Sequence, residues 1–263
     1  MGTDLKNFVA NLSFLFTELP FMERFRAAKA AGFAKVEFMF PYDYDLEEIK
    51  SQLNSLELKL VLFNLPAGDW GNGERGIAVK PERKNEFRAG VGQAIVAAQK
   101  LGVTQVNCLV GKGDPELDES VLRSTMVENI SYAAKKLEEH GLRLMIEPIN
   151  HYDIPGFFLN TTDQVLKLIA EINRPNVFLQ WDIYHASREN EDLWKTLSNS
   201  IAQIGHIQIA DQPGRHQPGT GEIAFQRLLT ELKKAGYSQE IALEYVPGPD
   251  TETSLRWVKN YSL

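Results

Sequence analysis

The feature that most constrains this chain is an alternation. Short apolar runs of five or six residues recur eight times, at 8–12, 35–39, 58–63, 105–110, 142–147, 177–182, 205–209 and 241–245. Between them lie longer segments with helical spacing of apolar positions, at 20–31, 46–56, 81–101, 119–140, 162–172, 190–198, 224–235 and near 252–259. Strands alternating with helices are the pattern of a parallel sheet with helical crossovers. Four joints share one device: AAGF (30–33), KLGV (100–103), EHGL (139–142) and KAGY (234–237) each place Gly just past a helix and just before a strand. Glycine ends a helix there in the left-handed conformation at little cost. Eight even units favour a closed (β/α)8 TIM barrel over an open doubly wound sheet. No linker or low-complexity stretch divides the chain, so a single α/β domain is expected over residues 1–263. The longest irregular region, 64–79, follows the third strand. A loop of that length in a compact domain is usually functional.

Composition narrows the partners. Lys and Arg number 28 against 35 Asp and Glu, a net charge of -7. That balance argues against nucleic acid, whose phosphates demand a basic face. The chain has 1 cysteine, Cys108, which permits no intrachain disulfide and points to a reducing, cytoplasmic setting. Within TQVNCLV a buried, inert thiol is expected. The opening MGTDLKNFVANLS lacks a cationic start followed by a long apolar stretch, so no secretory signal is expected. No apolar run reaches membrane-spanning length, so no membrane partner is expected. A homo-oligomer is left open.

In a TIM barrel the active site forms where the strands end, and here the strand ends are rich in oxygen donors. The second run holds Glu37, the third reaches Asn64, and LRLMIEPIN stops at Glu147 before Pro148. The sixth ends at Asp182, the seventh carries His206 and Gln208, and the eighth reaches Glu244. One such acid alone more often caps a loop or pairs with Arg. The last four strands are neighbours in a barrel, however, so Glu147, Asp182, Gln208 and Glu244 should converge. Three anions in one dry pocket need positive charge, and a divalent metal supplies it. All-oxygen donors suit Mg2+ or Mn2+ better than Zn2+.

Other candidates surround these four. His185, three residues after Asp182, could donate a hydrogen bond to substrate or cap the next helix. His206 alternates with Gln208 and should lie one layer deeper. Asn64 is expected to line the substrate. GNGERG (71–76) fits GxGxxG literally but leads into IAVKP rather than a helix, so no dinucleotide site is offered; no organic cofactor is expected. A flexible lid carrying Arg75 inward is the better reading. Arg215, within DQPGRHQPGTGE, and Lys112, after the fourth strand, are further candidate clamps for a substrate carboxylate.

A metal that chelates an α-hydroxy-carbonyl group acidifies the adjacent C–H bond. Glu147 and Glu244 could then remove and return a proton. That apparatus suits aldose–ketose isomerisation or epimerisation. The segments ANLSFLFTE, VEFMFPYDY, NLPAGDW with GERGIA, NCLVGK, IEPINHYDIPGF, WDIYH, HIQIADQPGRHQPGTGEI and LEY resemble the hydroxypyruvate isomerase family, within the xylose isomerase-like TIM-barrel superfamily. The resemblance implies a small 2-oxo-3-hydroxy acid as substrate, and interconversion of hydroxypyruvate with 2-hydroxy-3-oxopropanoate through an enediolate. It implies Glu147 and Glu244 as the proton-transfer pair, and Glu147, Asp182, Gln208 and Glu244 as metal ligands. Related sugar epimerases usually carry His where this chain has Gln208. A sister group, the 2-oxo-tetronate isomerases, shares much of the pattern and acts on a substrate one carbon longer. EPINHYDIPGF looks more like the hydroxypyruvate branch. A ketose 3-epimerase, a nuclease related to endonuclease IV and a non-catalytic sugar-acid binder are the remaining alternatives.

Overall fold

The computed structural model describes residues 4–261. The ends of the expected 1–263 domain, and Met1 to Thr3 of the opening segment, lie outside the described residues. In chain order the regular elements are β1 (Val9–Asn11), α1 (Phe21–Ala31), β2 (Lys35–Glu37), α2 (Leu46–Ser55), β3 (Lys59–Leu60) and β4 (Phe63–Asn64). Then come α3 (Lys84–Leu101), β5 (Gln105–Cys108), α4 (Glu119–Glu138), β6 (Arg143–Ile146), α5 (Thr162–Ile172) and β7 (Val177–Asp182). The chain finishes with α6 (Ile183–Arg188), α7 (Leu193–Ser200), β8 (Ile204–Ile209), α8 (Phe225–Lys234), β9 (Ile241–Leu243) and α9 (Thr251–Ser254).

The strands form one sheet in the order β3-β2-β1-β9-β8-β7-β6-β5-β4, and every pairing is parallel. The two ends of that order, β3 and β4, are consecutive pieces of one segment separated only by Val61 and Leu62. The first piece pairs with β2 and the second with β5. The expected third strand is thus one strand in two halves, and through it the sheet closes into the TIM barrel.

The helices form as their sequences direct. In α5, Thr161 and Gln164 make a reciprocal capping box at the start, and Val165, Leu168 and Ile172 bury one face. That face packs on β7. All four repeated glycines (Gly32, Gly102, Gly141 and Gly236) adopt positive φ, as the shared device requires. One helix was not foreseen. Directly after β7, Asp182 accepts the amide hydrogen of Tyr184 and starts α6, while the expected 190–198 helix becomes α7.

The barrel interior is layered. Val9, Val61, Leu62, Met145 and Ala242 form a small apolar cluster separate from the main core. Side chains two residues further along a strand share a face, so Asn11, Glu147 and Glu244 follow Val9, Met145 and Ala242 toward the C-terminal rim. Register adds to this layer: Asn11 pairs with Glu37, Asn64 with Asn107, Gln180 with His206 and Asp182 with Gln208. Cys108 is buried and free, and burial pushes its thiol up, as expected of an inert core thiol. Among the described residues no helix is long and apolar enough to cross a membrane.

The 64–79 loop is tied to the rim rather than draped over it. A Cβ on Gly76 would lie 1.9 Å from the Leu109 carbonyl oxygen, and one on Gly111 would lie 2.3 Å from the Gly76 carbonyl oxygen. Only two bare backbones can approach so closely. Gly32 has a similar φ but open space around its Cβ position. Gly32→Ala should therefore cost about 1 kcal/mol, and Gly76→Ala at least about 2 kcal/mol more through overpacking, as measured by urea unfolding.

Candidate active site

One cavity of about 260 Å3 opens at the C-terminal rim. Its lining includes Asn64, Arg75, Glu147, His185, Gln208, Arg215 and Glu244. Of the residues read as site candidates, Asp182 lies beside it, with Oδ2 3.5 Å from Arg215 Nη2. Lys112 does not line the cavity; its backbone bridges to Phe157.

The acids are buried: Glu147 is 5 %, Asp182 1 % and Glu244 8 % exposed. Burying a carboxylate costs several kcal/mol unless its oxygens are satisfied. Here neutral amides do much of that work. Glu147 Oε2 accepts from Asn107 Nδ2 and Gln180 Nε2, each at 2.9 Å. Glu244 Oε2 accepts from Asn11 Nδ2 at 2.7 Å and Gln208 Nε2 at 2.5 Å, while its Oε1 accepts from Arg215 Nη2 at 2.7 Å. Asn11 and Gln208 also donate to Glu37 Oε1 at 2.9 and 2.8 Å. Glu37 Oε2 in turn lies 2.7 Å from His206 Nε2. That places His206 one layer below the cavity, as its alternation with Gln208 suggested.

Sequence reasoning missed the amides Asn11, Asn107 and Gln180. The signal was present in part, since Gln180 stands two residues before Asp182 and so shares its face.

Electrostatics follow from this crowding. Burial first, and then the charge of Asp182, push the Glu147 carboxyl up to about 8. Burial pushes Asp182 up to about 6 against the opposing pull of Arg215. Glu244 is likewise raised, by burial more than Arg215 lowers it. Burial and then Arg215 hold His185 well below its ordinary range, so its ring is neutral.

The tautomer of His185 follows from its neighbour. Asn150 Oδ1 accepts the backbone N–H groups of Tyr152 and Asp153, which turns its Nδ2 toward His185 Nδ1 at 2.6 Å. Nδ1 is therefore an acceptor, and Nε2 carries the proton. That N–H faces Asp182 Oδ2 at 3.5 Å and Glu147 Oε1 at 3.8 Å.

Ligand atoms of Glu147, Asp182 and His185 lie within 4.8 Å of one another, close enough to share a metal ion. The expected set was Glu147, Asp182, Gln208 and Glu244. As placed, Gln208 turns its N–H groups to Glu37 and Glu244, and its Oε1 accepts from Gln180 at 2.8 Å. Glu244 is engaged by Arg215. The oxygens of Glu147 and Asp182 fit a hard cation best, because among the described residues three buried carboxylates face a single, partly buried guanidinium. His185 joins them only if its ring proton moves to Nδ1.

A family model described as "Xylose isomerase-like TIM barrel" matches residues 25–261. The chain belongs to the xylose isomerase-like TIM barrel family. Within that family it is 49% identical to the hydroxypyruvate isomerase of Escherichia coli K12, over 97% of this chain and 98% of that protein. It is 38% identical to the 2-oxo-tetronate isomerase of Cupriavidus necator, over 98% and 99%. Among solved structures, an AP endonuclease family 2 protein from Brucella melitensis superposes with a TM-score of 0.94 at 40% identity, covering 100% of both chains. The barrel thus agrees with the family that the sequence motifs resemble.

The raised Glu147 carboxyl has a consequence for stability. Between its ordinary value near 4.5 and its folded value of about 8, the folded chain holds a proton that the unfolded chain has lost. The contribution of this group therefore falls as pH rises through that window. Glu147→Gln removes the slope. In chelator-treated protein its urea-unfolding free energy, relative to the parent, should rise by about 2 kcal/mol or more between pH 5 and pH 8.5. A flat difference would mean that Glu147 is already ionised in the fold.

Proposed function

We propose that this chain is an isomerase that interconverts hydroxypyruvate and 2-hydroxy-3-oxopropanoate. One observation carries the reading: Glu147 and Glu244, from strands far apart in the chain, line one small cavity with raised carboxyls. The relative named for this reaction, at 49% identity over nearly all of both chains, supports it.

The chemistry needs one proton moved between adjacent carbons. Like charges repel strongly in a buried cavity, so the two glutamates are best occupied as one carboxylate and one carboxylic acid. The carboxylate removes a proton from C3 of hydroxypyruvate, giving an enediolate across C2 and C3. The acid returns a proton to C2 on collapse, and the O3 hydroxyl proton passes to O2. In the reverse direction the two glutamates exchange roles. His185 Nε2–H donates to the oxygen on which charge develops. Arg215 holds Glu244 Oε1 and keeps that carboxylate aimed. A divalent cation such as Mg2+ or Mn2+, held by Glu147 and Asp182, would polarise the substrate carbonyl when bound. The substrate is a small molecule, and a reducing cytoplasm suits a chain whose single thiol is buried.

A second reading is a 2-oxo-tetronate isomerase, favoured by the relatives at 34–38% identity that carry that name. Both substrates have a carboxylate next to the carbonyl, so the same machinery serves. A nuclease is disfavoured by the net charge of -7.

Turnover of hydroxypyruvate, followed through a coupled reductase, should exceed that of 2-oxo-tetronate at least tenfold in kcat/KM. Glu147→Gln and Glu244→Gln should each lower kcat by about 10^3 or more while leaving affinity for a substrate analogue within about threefold. Removal of divalent cations with a chelator should depress the rate, and Mg2+ or Mn2+ should restore it. No turnover of either acid under any of these conditions removes the proposal.

A further inference from the structure

We infer that Arg75 is the cation that holds the substrate's carboxylate, so that the acid end of the substrate lies against the 64–79 loop and its reacting carbons lie between Glu147 and Glu244. This rests on the reading above of a carboxylate-bearing substrate and names the group that recognises it.

Three cations were candidates, and their surroundings separate them. Lys112 does not line the cavity. Arg215 does, but its charge is already answered. Nη2 donates to Glu244 at 2.7 Å and lies 3.5 Å from Asp182, and Nη1 is 3.9 Å from Asp153. A substrate carboxylate brought to Arg215 would meet those three acids at close range. Arg75 lines the same cavity and, among the described residues, is paired with no carboxylate.

The guanidinium of Arg75 is also set in place before any ligand arrives. Its centre lies 3.9 Å from the centroid of the Trp70 ring, and Nη1 donates to the carbonyls of Glu74 at 2.7 Å and Trp70 at 3.2 Å. Among the described residues, Nη2 and Nε have no hydrogen-bond partner. A stacked, oriented guanidinium with unused N–H groups is the arrangement that takes a carboxylate through charge-assisted hydrogen bonds. Because the orientation is already fixed, little side-chain freedom is lost on binding. The loop that carries it is held by the Gly76–Gly111 backbone approach and by the ion pair of Glu74 with Arg83. Trp70 packs edge-on against Phe40, which fixes the ring on which Arg75 rests.

The inference separates binding from chemistry. In Arg75→Gln, KM for hydroxypyruvate should rise 10- to 100-fold with kcat within about threefold, and Arg75→Lys should recover part of the loss. Calorimetry with D-glycerate and its neutral amide, D-glyceramide, tests the assignment without turnover. Arg75→Gln should weaken D-glycerate at least tenfold and leave D-glyceramide within about threefold. An unchanged KM overturns the inference. So does equal loss for acid and amide, which would make Arg75 a wall of the pocket, and so does failure of the parent protein to bind D-glycerate at millimolar concentration. Absence of isomerase activity in the parent protein would instead sink the proposed reaction. The D-glycerate measurement would still decide the role of Arg75.

Discussion

The site depends on keeping Glu147, Asp182 and Glu244 buried at the C-terminal rim of a barrel that would otherwise expel them. Burial raises each of them toward its neutral form. What restrains that drift is an arrangement of neutral donors and one partly buried cation, Arg215. Gln180 bridges Glu147 to the oxygen of Gln208, and Gln208 donates onward to Glu244 and Glu37. The two proposed proton carriers are thus joined through amides, which orient both carboxyls without neutralising either. A carboxyl poised between its two forms is what a residue that both takes and gives a proton requires.

The cation in that arrangement is placed by a second device. Buried Asp211 accepts the backbone N–H groups of Gln212, Gly219, Gly221 and Ile223, and so organises the loop after β8. That loop holds Arg215 at a φ of 55°, unusual for a residue with a side chain, and ties its carbonyl to the amide of Val246. The arginine is therefore directed into the cavity by its backbone as well as by its charge. On the opposite side, the Trp70 ring and two carbonyls set Arg75. The two arginines serve different partners: one answers the protein's own acids, and the other is left for the ligand.

Several parts of this were readable in the chain. Glu147 stood out because a buried strand ended in Glu-Pro, and Glu244 and Asp182 because they closed similar runs. Arg75 and Arg215 were found by their place in irregular segments after strands. The amides Asn11, Asn107 and Gln180 were not, since a neutral side chain inside a strand run carries no charge to attract notice. Nor could the sequence separate Lys112 from the two arginines: whether a cation faces a cavity depends on how its loop leaves the strand. The metal set shows the same limit. Gln208 was counted as an oxygen donor, but which end of an amide faces inward is decided by its neighbours, here Gln180, Glu37 and Glu244. Helix α6 was missed because it begins on the last strand residue with no connecting turn to mark it.

The sequence by itself determined the number of units, their order and the residues at each strand end, because apolar periodicity and glycine punctuation are local and each unit repeats them. Only the tertiary structure decided which of those strand-end groups meet, which carboxylates are satisfied by amides and which arginine of the cavity has no carboxylate partner among the described residues. Those outcomes depend on barrel closure through the split third strand, which brings together side chains more than a hundred residues apart, and no local pattern specifies the partner of a buried charge.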